Sequence, residues 1–238
     1  MIDPPLAQDA YNQLADDYAA RIDTKGHNAY YDRPAVLSLL PDVDGQRVLD
    51  AGCGPGAYAQ WLLDHGAQVV AVDANAKMLA HARARTANRA EFHLANLNAP
   101  LDFLADASFD LVICPLVLDY IRDWTPLFRE FQRVLRPGGV LVFSHAHPAS
   151  EFFLYYFDGN YHEIEAVSFE WTGFGTPVEM PSFRRPLAAV FNSLVDAGLR
   201  LDRVLEPRPI EAFREADREH YDQLMRQPGF LCIRAVKP

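Results

Sequence analysis

The sequence has little cysteine and no extended apolar segment. Its three cysteines, Cys53, Cys114 and Cys232, lie far apart and form no C-x-x-C pair, which argues against a disulfide framework and against a zinc site. No run of eighteen apolar residues occurs. The N-terminus carries acidic residues where a secretory signal needs a basic start and an apolar stretch. These absences predict a cytoplasmic protein without a bound metal or a membrane partner.

Clustered positive charge is also lacking. The chain has 22 Lys and Arg residues against 32 Asp and Glu, a formal net charge of −10 at pH 7. The basic residues are interspersed with acids, although the arginines of RRPLAAV and EPRPIEAFRE could form a local patch. Because affinity for nucleic acid depends on cations that displace counterions, this composition disfavours a DNA or RNA partner.

Short apolar runs alternate with amphipathic helical patterns along most of the chain. This alternation predicts βαβ units and a largely parallel sheet. With half of its 238 residues apolar, the chain can fill one large core, so we expect a single domain. The strands are expected at 47–49, 68–72, 91–95, 109–114, 140–144, 201–206 and 230–236, with helices at 58–65, around Met78, after a Thr125 cap and after Pro186.

The stretch from Glu151 to Arg185 is crowded with aromatic residues. Residues alternate roughly as in a strand from Tyr161 to Trp171, and 172–177 supplies turn chemistry, so a hairpin is expected. We interpret the stretch as an insertion that covers the active site. A core extension and a dimer interface are the alternatives, because aromatic clusters serve all three uses.

The segment VLDAGCGPG, residues 48–56, is the most informative in the chain. A strand brings Asp50 to the carboxyl edge of the sheet, and Gly52 and Gly54 then allow a tight turn and a close approach to a ligand. Asp73 ends the next expected strand, where a carboxylate can accept both hydroxyls of a ribose. The glycine spacing is D-x-G-x-G-x-G, whereas dinucleotide sites usually have G-x-G-x-x-G, so a nicotinamide dehydrogenase is disfavoured.

This pattern resembles the principal signature of the class I S-adenosylmethionine (SAM)-dependent methyltransferases. Four later segments, VVAVDAN, FHLANLN, FDLVICPLVLDYIRDW and LRPGGVLVFS, resemble further motifs of that family in the same order, so the resemblance covers about residues 47–144. It implies a Rossmann-like, doubly wound α/β fold with a seven-stranded, mainly parallel sheet. Strands six and seven would form its antiparallel edge, and the aromatic-rich insertion would follow strand five.

The resemblance also implies an organisation for residues 1–238 as one methyltransferase domain. Residues 1–40 would form helices that cover the cofactor, and 41–148 would form the SAM-binding core. Residues 149–185 would be the substrate-covering insertion, and 186–238 would supply the last helix and strands six and seven.

Carried over by matched position, the family's cofactor roles fall on the edge of the sheet. Gly52 and Gly54 would contact the methionine portion of SAM, and Asp50 would hold its amino group directly or through water. Asp73 would bind the ribose. The adenine would lie near Ala74, Met78, Asn96 and Leu97, and the reactive methyl would lie near Pro115 and Leu116. Asn96 stands where the family commonly has aspartate, but an amide carbonyl can accept the same hydrogen bond.

The N-terminal segment supplies further candidates. Related methyltransferases often have a helix here whose tyrosine closes over the cofactor, so Tyr18 is a candidate, together with Tyr11 and Tyr31. Arg33 would meet the SAM carboxylate. Core packing or a solvated helix is the alternative for each of these residues.

Methyl transfer from a sulfonium is an in-line displacement whose leaving group needs no proton, so a base is required only when the acceptor must lose one. The segment SHAHP puts His145 and His147 at the carboxyl edge of the sheet, and His147 is the candidate base, with a structural histidine as the alternative. Tyr161, with Tyr155 and Trp171, is a candidate wall for the acceptor, and such rings stabilise cations.

The expected function is therefore methyl transfer from SAM to a small-molecule acceptor by a monomer or homodimer. The segment after strand four reads CPLV and lacks the N/D-P-P-Y/F/W motif of enzymes that methylate adenine in nucleic acid. Two alternatives remain open. One is other SAM chemistry on the same fold, such as cyclisation or transfer from the aminopropyl side, and the other is a non-catalytic SAM-binding protein.

Overall fold

A seven-stranded sheet forms the centre of the computed structural model, which describes residues 4–155 and 159–238. The strands of this sheet are β1 (Arg47–Ala51), β2 (Gln68–Asp73), β3 (Glu91–Leu94), β4 (Phe109–Pro115), β5 (Leu135–Ala146), β8 (Arg200–Leu205) and β9 (Phe230–Val236). Two further strands, β6 (Glu165–Trp171) and β7 (Val178–Arg184), pair only with each other.

Helices cover both faces of the sheet and its carboxyl edge. They are α1 (Gln8–Arg21), α2 (Arg33–Ser38), α3 (Ala57–Asp64), α4 (Ala76–Arg85), α5 (Trp124–Val134), α6 (Pro148–Ser150), α7 (Leu187–Asp196), α8 (Glu211–Ala216) and α9 (Arg218–Leu224). Short turns of π-helix precede α2 (Asn28–Asp32) and follow α6 (Glu151–Tyr155), and a 3₁₀ turn follows β4 (Leu118–Tyr120).

The strand order is β3-β2-β1-β4-β5-β9-β8. The first five of these strands are parallel, and β9 runs antiparallel between β5 and β8. The expected doubly wound, mainly parallel α/β sheet is confirmed. The antiparallel pairing comes from β9 alone, since β8 at the edge runs in the same direction as β5.

Apolar residues on both faces of each central strand explain why the sheet is covered twice. Leu49 belongs to a core cluster with Phe128 of α5 and Leu194 of α7. Its neighbour Val48 belongs to a second cluster with Leu62 of α3. Successive side chains of a strand point to opposite faces, so a run of apolar residues supports two layers, each large buried side chain contributing about 1.5–3 kcal/mol.

Two expected boundaries are wrong. The side chain that caps α5 is Asp123, which accepts a hydrogen bond from the Thr125 N–H at 3.0 Å, so Thr125 lies inside the helix. The fifth strand begins at Leu135, five residues before the expected start, because Leu135 already pairs with Phe109 ahead of a register shift. Pro137, Gly138 and Gly139, which would be expected to separate helix from strand, therefore lie within the strand.

The expected hairpin is present as β6 and β7, with its first strand beginning at Glu165. Its apolar face packs against α1, where Leu14 is buried with Phe174, Val178 and Met180. The N-terminal helix and the hairpin thus form one cap, which stands beside the carboxyl edge of the sheet.

Within the described ranges, the structure has no helix both long enough and apolar enough to cross a bilayer.

Candidate functional site

A cavity lies at the carboxyl ends of β1, β2 and β4, where open α/β sheets bind their ligands. The space within it, counted together with the open solvent at its mouth, is about 1070 Å³. Its wall includes the expected cofactor residues Tyr18, Arg33, Gly52, Gly54, Asp73, Ala74, Met78, Asn96, Leu97, Pro115 and Leu116.

Gly52 and Gly54, both in the loop after β1, differ in the space around them. Gly52 has φ +81°, and a Cβ there would collide with the side chain of Val117, so the loop can approach the β4 loop only with glycine. Gly54 has φ +52°, but a Cβ there would have no described atom within 4 Å. Gly54 thus leaves open space on the cavity side of the loop, as a ligand-binding turn requires.

The Asp73 carboxylate joins two loops at the cavity wall. Its Oδ2 accepts a hydrogen bond from Gly54 N–H, and its Oδ1 accepts one from Asn75 N–H, both at 2.8 Å. Burial raises the pKa of Asp73, and these backbone hydrogen bonds oppose that rise. Each carboxylate oxygen can accept more than one hydrogen bond, so the site fits the expected ribose hydroxyls.

Asp50, which is expected to hold the SAM amino group, lies outside the wall of the cavity. It is completely buried in β1, and neither carboxylate oxygen has a hydrogen-bond partner among the residues that the structure describes. Burial, reinforced by the charge of Asp73, raises the pKa of Asp50 to about 8. An Asp50 contact with the SAM amino group, directly or through water, stays a prediction.

The expected adenine end of the cavity is formed by the loops after β2 and β3. Met78 is 2% exposed, and its N–H donates to the Asn75 Oδ1 at 3.1 Å, which caps α4. The Asn96 Oδ1 accepts from the Asn98 N–H at 3.0 Å, so this hydrogen bond fixes the orientation of the amide. The Oδ1 atoms of Asn75 and Asn96 are thus held in place by hydrogen bonds within the protein.

Backbone strain marks the end of β4. Leu116 has φ +54°, the left-handed region that residues other than glycine seldom adopt, at a cost of about 1–3 kcal/mol. Its N–H donates to the Ser144 carbonyl at 2.9 Å, which holds this conformation. The strained residue lines the cavity where the family places the reactive methyl.

Tyrosines of α1 and of the turn after β4 form another wall. Tyr11 and Tyr120 line the cavity and share a hydrogen bond between hydroxyls at 2.8 Å. Tyr18, also in the wall, stacks on Phe174 with ring centroids 4.5 Å apart, and Trp171 packs edge-on against Tyr11 and Tyr18 from outside the wall. Burial raises the pKa values of Tyr11, Tyr18 and Tyr120, so their hydroxyls stay protonated at neutral pH.

Tyr31, the third tyrosine proposed for closure over the cofactor, lies elsewhere. It is 1% exposed, and its hydroxyl accepts from the Gly229 N–H at 2.8 Å. Its ring stacks on Phe230, so Tyr31 anchors the N-terminal segment to the start of β9.

Two residues of the cavity wall beside Arg33, Asp32 and Tyr58, were not predicted from the sequence. Asp32 is 2% exposed in the cavity wall, and its Oδ2 accepts from the Tyr58 hydroxyl at 2.8 Å. Burial raises the pKa of Asp32 to about 6. Arg33 itself donates to Asp23 at 3.1 Å and to the Ile22 carbonyl at 3.0 Å. The motif YYDRP, with an acid directly before Arg33, was the available signal for Asp32.

Neither the candidate base His147 nor Tyr161, the candidate wall for the acceptor, lines the cavity. The His147 Nε2 lies 2.9 Å from the Glu206 Oε1, and its Nδ1 accepts from the Ala149 N–H at 3.2 Å, so both ring nitrogens are engaged and the side chain caps α6. The Tyr161 hydroxyl accepts from the Leu187 N–H at 3.2 Å. Of the other proposed acceptor residues, the Tyr155 side chain lies outside the described part of the chain.

His145 is buried in the core against Trp124 and Phe143, and burial lowers its pKa to about 3. All three cysteines are free and buried. No group of three or more His, Cys, Asp or Glu residues in the described segments is arranged to hold a metal ion.

Known proteins share both the motifs and the fold. A model described as a methyltransferase domain matches residues 49–143. Malonyl-[acyl-carrier protein] O-methyltransferase of Enterobacter lignolyticus is 34% identical over 143 residues, which are 60% of this chain and 54% of that protein. The chain thus matches about half the length of this relative.

Solved structures match over nearly the whole chain. An S-adenosylmethionine-dependent methyltransferase of Mesorhizobium loti is 28% identical with a TM-score of 0.68, covering 90% of this chain and 99% of its own. A putative one of Listeria monocytogenes, at 21% identity, has a TM-score of 0.75 and covers 87% and 96%. These matches agree with the motif order and the sheet topology, and with a cavity whose residues fit SAM: residues 49–143 match a methyltransferase domain, and the chain has the fold of the class I SAM-dependent methyltransferases.

Proposed function

We propose that this protein transfers the methyl group of SAM to a small molecule that shares the cavity with the cofactor. The observation that carries the proposal is the composition of one continuous wall. The glycine loop and Asp73, which fit SAM, stand in the same cavity as Tyr11, Tyr18 and Tyr120 on the cap side. Aromatic rings suit both an apolar acceptor and the positive sulfonium.

A second site adjoins this wall and supplies a route for the acceptor. It shares Pro5, Leu6, Gln8, Asn98 and Tyr120 with the main cavity. Phe183 of the hairpin and the exposed Arg122 complete its lining, together with Pro4 and Asp9. The route is therefore mainly apolar and has one cation and one acid in its lining, which suits an acceptor with an apolar body and a polar group.

Among acceptor classes, we place carboxylates first. A carboxylate is already ionised at neutral pH, so its oxygen can attack the methyl carbon while the carbon–sulfur bond breaks, with no proton to remove. This suits a cavity from which the expected base, His147, is absent. The names of the malonyl-[acyl-carrier protein] O-methyltransferase relatives point to the same class. The products would be a methyl ester and S-adenosylhomocysteine (SAH).

A labelled-methyl assay tests the proposal. Calorimetry with SAH first establishes cofactor binding, and SAM labelled in its methyl group is then incubated with panels of carboxylic acids, phenols and amines. Label in a methyl ester supports the proposal. Label that stays in methylthioadenosine supports transfer from the aminopropyl side instead. Absence of SAH binding at millimolar concentration contradicts the proposal.

A further inference from the structure

The central sheet ends at β8, a strand whose outer edge is exposed. Within the described ranges β8 pairs with β9 alone, and residues 200–204 are all exposed. Such an edge offers unpaired backbone N–H and C=O groups to another strand, and proteins usually protect it with charged side chains or a bulge. Strand β8 has both features, so the arrangement of its charges decides what can pair with it.

A bulge at Asp202 determines which face of the sheet each side chain of β8 occupies. The register with β9 shifts between Leu201 and Arg203, so Asp202 has no opposite residue on β9. Arg203 pairs with Arg234 of β9, and the Asp202 Oδ2 lies 3.0 Å from the Arg234 Nε. Directly paired residues of neighbouring strands point to the same face. Asp202 and Arg203, although consecutive, therefore lie on the same face of the sheet.

The other face of β8 is aliphatic. Leu201 and Val204 pair with residues 235 and 233 of β9, which belong to the core cluster shared with α7. Leu201 is 41% exposed and Val204 is 40% exposed, and Val195 in the last turn of α7 is 67% exposed. Apolar side chains that face water beside an open strand edge favour association with another surface. Strand β8 thus has opposite charges on one face and exposed apolar groups on the other.

We propose that β8 pairs in the antiparallel direction with β8 of a second copy of this chain, about a two-fold axis between residues 202 and 203. In this register Asp202 of each copy lies opposite Arg203 of the other, and Leu201 lies opposite Val204. A shift by one residue either way would place Asp202 against Asp202 or Arg203 against Arg203, and like charges directly opposite are destabilising. The charges of β8 therefore favour one partner and one register.

The side chains required for this pairing are accessible. Arg203 is exposed and has no ion-pair partner among the described residues of its own chain. Only the six residues of β8 and the end of α7 would enter the contact, so we expect a reversible dimer with a Kd in the micromolar range. The inference goes beyond the proposed function, since it requires neither SAM nor an acceptor.

Sedimentation velocity over a range of protein concentrations tests the pairing. Wild type should change from monomer to dimer as its concentration rises through the micromolar range. Arg203→Asp would place carboxylates opposite each other at two positions, so it should raise the dimer Kd about tenfold or more. Addition of Asp202→Arg to the same chain exchanges the signs and restores the complementarity, so the double variant should return to within about threefold of wild type.

Arg200→Asp is the matched control on the same strand. It makes the same change in charge, but in the proposed register Arg200 lies opposite Leu205 instead of a charged residue. Its dimer Kd should stay within about threefold of wild type. Thermal melting of each variant establishes that the fold is retained before the association constants are compared.

Engineered cysteines test the register independently of charge. With Leu201→Cys and Val204→Cys in the same chain, each new thiol lies opposite its counterpart in the other copy and should form an intermolecular disulfide on mild oxidation. Either substitution alone should give about tenfold less covalent dimer. Identical positions of the two copies would lie three residues out of register, roughly 10 Å at 3.3 Å per residue, which is beyond disulfide reach. The native cysteines are buried, and non-reducing electrophoresis measures the product.

Three results would overturn the inference. They are wild-type protein that stays monomeric up to millimolar concentration, a dimer whose Kd does not respond to Arg203→Asp or is not restored by the double variant, and equal cross-linking by the single and double cysteine variants. None of these measurements involves SAM, so such a result leaves the proposed function standing, and failure of methyl transfer leaves the dimer standing.

Discussion

At the carboxyl edge of the sheet, single residues have a backbone conformation or a buried polar group that lowers the stability of the fold. Leu116 has a left-handed backbone, and Asp50 has a buried carboxyl group with no partner among the residues described. Strain and unpaired groups of this kind cluster where a protein must present fixed groups to a ligand. Each loss of stability arises at a single residue. Substitutions at such positions can therefore change ligand affinity and the free energy of unfolding independently.

Gly54→Val should abolish SAH binding. The valine side chain would fill the open space on the cavity side of the loop, and the positive φ would lower the free energy of unfolding by roughly 1–2 kcal/mol. Gly138→Val is the matched control, since Gly138 also has a positive φ of 79° and open space, but lies away from the cavity. Calorimetry and urea denaturation measure the two effects. Equal SAH affinities in the two variants would contradict the placement of the ligand.

Asp50→Asn should flatten the dependence of stability on pH. The folded protein keeps the Asp50 proton up to about pH 8, whereas the unfolded chain loses it near pH 4, so Asp50 makes the protein less stable as pH rises between these values. The slope is at most about 1.4 kcal/mol per pH unit. Asparagine does not titrate. In urea denaturation from pH 5 to pH 8, wild type should lose stability relative to the variant, and parallel profiles would show that Asp50 is ionised in the folded state.

At the scale of elements, the end of β5 is tied to its surroundings through His147. The ring caps α6 and reaches Glu206, which follows β8, while the His147 N–H donates to the Gly229 carbonyl at 2.9 Å. These contacts link the fifth strand to both later strands. They give the histidine a structural task that sequence spacing could not distinguish from catalysis.

His147→Ala should destabilise the protein and leave SAH affinity unchanged. The substitution removes a helix cap and a buried ring, which together are expected to cost about 1–3 kcal/mol in the free energy of unfolding. Glu206→Gln keeps an acceptor for the His147 ring and should cost less than Glu206→Ala. Urea denaturation measures these differences. A large fall in turnover of folded His147→Ala protein would restore the histidine as a base.

Elements could be predicted wherever their signals are local. The core strands show apolar runs and α3 follows the glycine loop, so both were predicted to within a few residues. The start of α5 was not, because Asp123 and Thr125 are both good capping residues and only the folded chain shows which one caps. The contact of Asp32 with Tyr58 spans 26 positions, so no local pattern reports it. The cofactor loop was therefore predictable, whereas the contact between Asp32 and Tyr58 was not.

At the scale of the whole molecule, α1 bridges the hairpin and the cofactor-binding sheet. Its apolar side packs on the hairpin, and its polar side reaches α4 and the loop before it, where the Asn75 Nδ2 donates to the Asn12 Oδ1 at 2.9 Å and the Lys77 Nζ donates to the Asn12 carbonyl at 2.8 Å. Helix α1 is thus held to α4 and the loop before it mainly by polar contacts. These contacts are weaker than the apolar contacts of α1 with the hairpin.

Asn12→Ala should therefore speed the release of SAH, because the side-chain hydrogen bond that holds α1 over α4 is lost. We expect a dissociation rate about three- to tenfold faster, corresponding to a hydrogen bond of ~1 kcal/mol. Gln13→Ala is the matched control on the same helix, since Gln13 bonds only to the Asp9 carbonyl within the described chain. Stopped-flow displacement measures both rates. Equal rates would show that α1 does not gate the ligand.

The position of β9 inside the sheet has a consequence for the order of events during synthesis. Although β9 is the last strand in chain order, it separates β8 from β5, and the residue before it, Gly229, holds Tyr31 next to the Asp32–Arg33 pair. A ribosome-bound chain that ends before residue 229 therefore leaves one edge of β5 uncovered and the N-terminal segment without its anchor. Cofactor binding is therefore expected to depend on the pairing of β9 with β5, because the same strand pairing places Gly229 where it holds Tyr31.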